Sequence, residues 1–209
     1  MNTITLPGID HPVYTLGDTT ALTDGSELLA ITGARASTGY GNHIAQQIAE
    51  DATQRGLTTI TTGAYGIAAA ATRAALAAGG QPIVWLSGGL DRPYPAGHNG
   101  LFDAVLKAGG ALLSLQPPGQ APTRASFLAT SEAIARTATA TIVVEAGPRS
   151  GSITLANAAL EAGRRLAAVP GPITSAASAG SNNLLNNPQC LAYTGADTLH
   201  TLTSVPRKP

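Results

Sequence analysis

The sequence predicts an α/β protein built on a doubly wound, mostly parallel sheet, in a single domain with a short N-terminal extension. Short apolar or β-branched runs alternate with helical patterns of roughly 10–20 residues, which is the order of βαβ units. The runs are apolar throughout, as expected for strands that are buried on both faces of a parallel sheet. Hydrophobic residues make up 44% of the 209 residues and charged residues only 11%, a composition that suits a large buried core.

The predicted elements follow one another from residue 28 onwards. Strand-like runs occupy 28–33, 57–63, 82–89, 111–115, 140–147 and 165–171. Helical patterns occupy 40–55, 66–80, 101–108, 127–137 and 151–163, with short further helices expected at 182–186 and 196–202. Residues 1–27 show no clear periodicity and are expected to form the extension, with a short helix near Leu16–Leu22. The domain is expected to span 28–203, and 204–209 to form a disordered tail.

Charge and cysteine content exclude several function classes. Residues 1–34 carry four acidic residues and no Lys or Arg, whereas 35–209 carry twelve basic and eight acidic residues, a balance of +4. This excess is milder than the basic patch of a dedicated nucleic-acid binder. An aromatic content of 4% argues against a base-stacking sheet of the OB or RRM kind. The single cysteine, Cys190, excludes an internal disulfide and a multi-cysteine zinc site.

No segment of the sequence reads as a membrane span or a targeting signal. No stretch approaches 18 uncharged apolar residues, and the N-terminus lacks a basic region followed by an apolar one. We therefore expect a cytoplasmic protein without a membrane partner.

Glycines and hydroxyl side chains follow nearly every predicted strand. Ligands of open α/β sheets bind outside the carboxyl ends of the strands, so these residues are expected along one edge. Glycine lets backbone N–H groups approach an anion, helix N-termini favour negative charge, and arginine supplies a forked cation. The same residue types also serve as ordinary turns and helix caps, so a structural role for any single turn stays open. Together they predict a phosphate-binding cradle formed by Gly33, Arg35, Ser37, Thr38, Gly39, Gly41, Gly63, Gly66, Arg149, Ser150, Gly151, Ser152 and Gly171.

The spacing of these residues excludes the common cofactor motifs. Neither the dinucleotide fingerprint nor a P-loop is present, and the four histidines are scattered through the sequence. No metal-ligand spacing appears, and we expect no metal or cofactor. Glu145 ends a buried strand, where it could act as an acid or base, or could accept hydrogen bonds from neighbouring loop amides. Cys190 is expected to be a passive thiol, and no residue is assigned to catalysis.

The ordered motifs resemble those of the DprA/Smf family (DNA-processing protein A), over about residues 28–199. They are GARASTGYG, TGAYGI, GGLDRPYPAGH, SLQPPG, VVEAGPRSGSITLANAALEAGR and VPGPITSAASAGSNNLL. The resemblance implies an extended Rossmann-like fold that binds single-stranded DNA, dimerises and delivers the DNA to a RecA-type recombinase. It implies no catalysis. Of the family's DNA-contacting positions, Arg35, Gly63, Gly66 and the Ser150–Ser152 turn are retained.

One motif departs from the family pattern in a way that bears on DNA binding. The family's F-x-x-R-N-R-x-I segment reads Phe127-Leu128-Ala129-Thr130-Ser131-Glu132-Ala133-Ile134 here. Two arginines are lost and one carboxylate is gained, and affinity for a nucleic-acid backbone follows the number of phosphates neutralised. We therefore expect salt-sensitive, sequence-tolerant DNA binding that is weaker than that of a full-length relative.

Two other functions stay open at this point. The phosphate-binding turns could hold a small nucleotide or a nucleotide-derived signal, since they persist where the arginines do not. A nucleotide glycosidase is the enzymatic form of this alternative, but the residues after Gly151-Ser152 do not match its motif, and we rank it last. The third alternative is a degenerate homologue that acts only through protein contacts.

Overall fold

A nine-stranded sheet forms the centre of the fold, in a computed structural model that describes residues 1–203. The strands are β1 (Asn2–Ile4), β2 (Val13–Gly17), β3 (Leu28–Thr32), β4 (Thr58–Thr62), β5 (Ile83–Leu86), β6 (Ala111–Ser114), β7 (Ala140–Val143), β8 (Arg165–Ala168) and β9 (Cys190–Ala192). Their order across the sheet is β1-β2-β6-β5-β4-β3-β7-β8-β9. From β6 to β9 all neighbours are parallel, whereas β1–β2 and β2–β6 pair antiparallel. The predicted doubly wound, mostly parallel sheet is confirmed.

Seven α-helices cover the described part of the sheet in two layers. They are α1 (Gly39–Gln54), α2 (Ile67–Ala77), α3 (Asn99–Lys107), α4 (Arg124–Thr137), α5 (Gly151–Glu161), α6 (Ala179–Leu184) and α7 (Ala196–Thr203). Neighbouring residues of one strand face opposite layers. Leu29 and Ile31 pack with α1 and α2, while Leu28 and Ala30 pack with α4. Since both faces are covered, the central strands are apolar at successive positions rather than at every second one.

The N-terminal residues belong to the sheet rather than lying outside it. The short helix expected near Leu16–Leu22 is wrong for its first part, because Leu16 lies in β2 and pairs with Leu112 of β6. Only a single 3₁₀ turn follows, at Thr20–Leu22. Val13 and Thr15 are buried, and the alternate residues Tyr14 and Leu16 are half-buried against α3. Because both faces of β2 are covered, the period-two pattern of a strand is hidden in the sequence.

Several element boundaries differ from the predicted ones for local reasons. Helix α4 begins at Arg124, three residues before the predicted start, because Thr123 and Ser126 form a capping box. Helix α6 also begins earlier than predicted, and the edge strand β9 was not predicted. The division into 1–27, 28–203 and 204–209 stays a prediction, and residues 204–209 lie outside the described residues.

Candidate nucleic-acid interface

The winding of the sheet reverses between β3 and β7. From β3 the chain proceeds through β4 and β5 to β6 on one side, and it then returns to add β7 and β8 on the other. A reversal of this kind leaves a crevice at the carboxyl ends of the two central strands, where ligands of open α/β sheets bind. The turns after β3 and β7 are the ones that carry most of the predicted cradle.

A cavity of about 300 Å³ opens at this edge, on the α4 side of the sheet. This volume is at the lower end of the range for small-molecule sites. Hydroxyl groups and apolar side chains share its wall. The lining residues come from the ends of β3, β4 and β5, from α4 and from the start of α5; they are Thr32, Gly33, Arg35, Thr62, Gly63, Ala64, Tyr65, Trp85, Leu86, Ser87, Tyr94, Pro95, Phe127, Leu128, Thr130, Ser131, Ser150, Gly151, Ser152 and Leu155.

Arg35 and a group of exposed rings form the rim of this cavity. Arg35 is exposed, and its guanidinium carbon lies 4.9 Å from the centroid of the Phe127 ring. Tyr94 meets the Phe127 ring edge-on, with centroids 6.4 Å apart, and both Tyr94 and Tyr65 are half-exposed. A cation held over a ring beside exposed aromatic faces can bind a phosphate and stack against a base.

His98 holds the turn after β4 in place. Its ring is buried, and Nδ1 lies 2.8 Å from the carbonyl oxygen of Gly63, which must accept the hydrogen bond. The ring also contacts Tyr65 edge-on, with centroids 4.2 Å apart. His98 therefore fixes the backbone of Gly63 and one face of Tyr65 at the cavity.

The hydroxyls of α5 join the two central turns. The Ser152 hydroxyl donates to the carbonyl oxygen of Gly33 at 2.9 Å, and it accepts from the hydroxyl of Thr32 at 3.2 Å. Ser150 is the N-cap of α5 and accepts from the backbone N–H of Ser152 at 3.3 Å. Ser152 therefore bonds the start of α5 to the turn after β3, while Ser150 and Gly151 remain at the surface of the crevice.

The inner side of the α1 turn is occupied by a carboxylate of the protein itself. Glu145 is 2% exposed, and it accepts the backbone N–H of Thr38 at 2.9 Å and the Thr38 hydroxyl at 2.6 Å. Thr38 is the N-cap of α1. Of the two roles that the sequence left open for Glu145, the geometry matches the acceptance of hydrogen bonds from a loop amide.

Most of the glycines predicted for the cradle are required by packing. A Cβ atom would clash with Ile67 at Gly33, with Glu145 at Gly41, with Leu86 at Gly63, with the Ala34 carbonyl at Gly66 and with Ser178 at Gly171. Gly66 also has φ +73°, which disfavours any side chain. Only Gly39 and Gly151, among the seven predicted glycines, have open space where a side chain would be. At these two positions packing does not require glycine.

The cavity wall thus contains six of the thirteen predicted residues: Gly33, Arg35, Gly63, Ser150, Gly151 and Ser152. The other seven are not part of it. Thr38, Gly39 and Gly41 start α1, the Ser37 hydroxyl donates to Asn42 at 2.6 Å, and Gly66 packs on the first turn. Arg149 is exposed in the turn before α5, and Gly171 follows β8.

Three aromatic rings of the cavity are candidate site residues that sequence reasoning missed. Tyr65 and Tyr94 belong to motifs quoted for the resemblance, and Trp85 belongs to the predicted strand at 82–89. Only the folded chain brings the three rings to one cavity wall. Trp85 lies in the cavity wall, and its buried indole N–H has no hydrogen-bond acceptor within residues 1–203. Because Trp85 is 0% exposed, this N–H is enclosed by the protein and does not open into the cavity.

The altered α4 motif lies against the same cavity. Thr130 is buried in the wall and donates its hydroxyl to the Ser126 carbonyl oxygen at 2.8 Å. Ser131 is half-buried and bonds back to Phe127 at 3.1 Å, whereas Glu132 is exposed and lies outside the wall. The wall therefore contains short hydroxyl side chains where the family pattern has long polar ones.

Neither a metal centre nor a membrane span is found in the part of the chain that the structure describes. No three His, Cys, Asp or Glu side chains among residues 1–203 are grouped to hold a metal ion. None of the helices described is both long and apolar enough to cross a bilayer.

Comparison with known proteins identifies relatives over nearly the whole chain. A family model described as DNA recombination-mediator protein A matches residues 5–203. A Mycobacterium tuberculosis protein named as a DNA processing protein DprA is 46% identical over 158 residues, covering 76% of this chain and 40% of that protein. Protein Smf of Escherichia coli is 37% identical over 175 residues, covering 83% of this chain and 46% of that protein. The chain therefore spans about half the length of the curated relatives it matches.

Two solved structures share the fold. The structure of DprA from Streptococcus pneumoniae matches with a TM-score of 0.84 and 30% identity, covering 91% of this chain and 66% of that one. A structure described for the single-stranded DNA binding mode of DprA from Helicobacter pylori matches with a TM-score of 0.85 over 96% of this chain and 94% of that one. At 24% identity, this second match carries the fold alone. From the family match over residues 5–203, this chain belongs to the DNA recombination-mediator protein A (DprA/Smf) family.

Proposed function

We propose that this chain binds single-stranded DNA at the cavity beside Arg35 and acts in DNA processing during recombination. The observation that carries the proposal is the position of Arg35 over Phe127 at the mouth of a cavity rimmed by exposed tyrosines. Single-strand binders combine a cation for the backbone with aromatic faces for the bases, and this combination tolerates any sequence. Membership of the family supports the same ligand.

The cavity itself is proposed to receive one base. Its volume of about 300 Å³ is in the range for a small organic group, and its wall offers hydroxyls at Thr62, Ser87 and Ser131. A base held in the cavity would fix the DNA strand at one point, while Arg35 binds the backbone of the strand.

The proposal assigns no catalytic step to the chain. Glu145 is buried and bonded to Thr38 rather than facing the cavity, which supports a binding role for the site. The remaining family properties, which are a homodimer, delivery of DNA to a RecA-type recombinase and a cytoplasmic location, belong to the same proposal and rest on family membership.

A free nucleotide, or a nucleotide-derived signal, is the second candidate ligand. The observation that favours it is the short side chain at Thr130, which leaves room in the wall for a small molecule, with a single arginine at the mouth. A ligand of this kind would place its phosphate on Arg35 and its base against Trp85.

Fluorescence anisotropy with a labelled oligo-dT separates the two candidates. The first predicts saturable binding at low salt that unlabelled oligonucleotide displaces and mononucleotides displace only at far higher concentration. The second predicts strong thermal stabilisation by a mononucleotide, because stabilisation grows with ligand concentration over Kd. Absence of binding to any oligonucleotide at low salt would overturn the first candidate.

A further inference from the structure

Ile173 is almost entirely exposed on a turn that is firmly held. Its exposed fraction is 95%, and the turn is closed by the Ser175 backbone N–H donating to the Pro172 carbonyl oxygen at 3.0 Å. The Asn182 side chain fixes the start of the loop, because it both accepts from the N–H of Gly171 and donates to its carbonyl oxygen, each at 3.0 Å. A single exposed apolar residue is ordinary on a protein surface, so Ile173 needs a second feature before it indicates a contact.

Tyr40 supplies that second feature. It lies in the first turn of α1, five residues after Arg35, and it is 44% exposed. Its hydroxyl donates to the carbonyl oxygen of Pro170 at 3.0 Å, which ties the ring to the loop that carries Ile173. We refer to Tyr40, Pro170 and Ile173 as the distal platform.

The segments between the cavity and the distal platform contain no exposed carboxylate. Residues 28–49 and 162–196 have no Asp or Glu, and residues 140–160 have only Glu145, which is buried and bonded to Thr38. Exposed arginines stand in two of these segments, at Arg35 and Arg149. This surface suits a polyanion rather than an acidic protein face.

The distal platform is close enough to the cavity for one ligand to reach both. The cavity extends from the end of β5 to the start of α5, which follows β7, and the platform lies at the end of the next strand, β8. Along the sheet, β4 and β8 are three strand spacings apart, or about 14 Å. A ligand must also cross the edge of the sheet, from the α4 side, where the cavity lies, to the α1 side, where Tyr40 lies. A flexible polymer could cross this distance along the turns after β3 and β7, whereas a mononucleotide in the cavity could not.

We infer that the distal platform is a second contact for single-stranded DNA, on which bases rest after the strand has crossed the turns beside Arg35 and Arg149. This inference rests on the proposed function and extends it, because it gives the bound strand a path from β4 towards β8. Tyr40 would supply the ring face, and Ile173 would supply an apolar edge against a neighbouring base.

A length series of labelled oligo-dT tests this path, from about 4 to about 16 nucleotides, the range of single-strand site sizes. For Tyr40→Ala and Ile173→Ser, we expect the affinity for the longest oligonucleotide to fall about five-fold or more, as for loss of one base contact. The shortest oligonucleotide, which fits the cavity alone, should bind the variants and the unchanged protein equally. Tyr40→Phe keeps the ring and loses only the hydrogen bond to Pro170, and Ile173→Leu keeps an apolar side chain, so both should bind the longest oligonucleotide more tightly than Tyr40→Ala and Ile173→Ser do.

The outcomes distinguish the path from the proposed function. Equal affinities of Tyr40→Ala, Ile173→Ser and the unchanged protein at every length would overturn the path and leave the cavity site intact. Failure of the unchanged protein to bind any oligonucleotide would overturn both. If Ile173→Ser lowered self-association in light scattering without changing DNA affinity, the loop would be a protein contact and the path would be overturned.

Discussion

Glu145 accepts two hydrogen bonds from Thr38, one from its backbone N–H at 2.9 Å and one from its hydroxyl at 2.6 Å. The carboxylate thereby fills the anion position at the N-terminus of α1, where the helix dipole favours negative charge. The two hydrogen bonds also join the turns on either side of the point where the winding of the sheet reverses, because Glu145 follows β7 and Thr38 follows β3. A ligand phosphate is therefore expected outside this turn, near Arg35, rather than beneath Thr38.

Replacing Glu145 with glutamine should destabilise the fold. The amide presents one acceptor and one donor where the protein has two donors, so one Thr38 hydrogen bond is lost or opposed. We expect the free energy of unfolding to fall by about 1–3 kcal/mol, the usual cost of a buried polar group without its partner. Urea denaturation measures this change. In a double-mutant cycle with Thr38→Ala, the two losses should not add; simple additivity would mean that the pair does not interact.

Two glycines that look alike in sequence should respond differently to alanine. At Gly63 a Cβ atom would lie 3.0 Å from Phe102 Cζ and closer still to Leu86, so Gly63→Ala should cost about 1–3 kcal/mol of stability. At Gly151 the space is open, and Gly151→Ala should change stability by about 0.5 kcal/mol or less. Thermal unfolding compares the two variants. Equal destabilisation by both would contradict the packing account of Gly63.

Gly151→Ala has a second use, since the protein should remain folded. If an oligonucleotide phosphate approaches the start of α5, the added methyl group should weaken DNA binding without loss of stability. Anisotropy with oligo-dT measures this effect. Unchanged affinity would place the phosphate away from α5 and leave Arg35 as the contact.

The contrast between Gly63 and Gly151 shows where sequence reasoning stops. Local patterns were enough to predict the six parallel strands and the edge at which the turns gather. They could not show that Leu86 and Phe102 close over Gly63, because those contacts join residues far apart in the chain. The meeting of Arg35 with Phe127 was hidden for the same reason. The edge strands β1 and β9 have three residues each, too few for a periodic pattern.

Cys190 should make stability fall in alkaline solution. Burial raises the pKa of its thiol from 9.0 to about 11. Above about pH 9 the unfolded chain releases this proton while the folded chain keeps it, so the unfolded state binds fewer protons and stability declines from about pH 9 to about 11. The pKa of Tyr193, raised to about 12 chiefly by burial, adds a later decline. Urea midpoints across this range should fall less steeply for Cys190→Ala; an identical slope would contradict the assignment.

Arg35→Ala should lower DNA affinity and weaken its dependence on salt. Each phosphate contact on a single strand contributes about 0.7 to the slope of log K against log salt concentration, so loss of one contact should reduce the slope by about that amount. Arg35 is exposed, and the variant should fold normally. Arg35→Lys keeps the charge and should restore the slope, although its affinity should stay lower because it cannot bind a phosphate with two parallel hydrogen bonds. If the salt slope of Arg35→Ala equalled that of the unchanged protein, a phosphate contact at Arg35 would be ruled out.

Two changes in α4 separate the effect of charge from that of cavity shape. Glu132 is exposed and lies outside the cavity wall, so Glu132→Arg should change the local charge by two units without filling the cavity. We expect tighter binding of oligo-dT and a steeper salt dependence. Thr130 is buried in the wall, and Thr130→Arg should fill the space proposed for a base. Thr130→Arg should therefore abolish the binding of a mononucleotide, even though it adds a positive charge near the cavity. If Glu132→Arg left the salt slope unchanged, the exposed face of α4 would not contact the DNA. The bound DNA would then follow a path on which the family's two arginines are not needed.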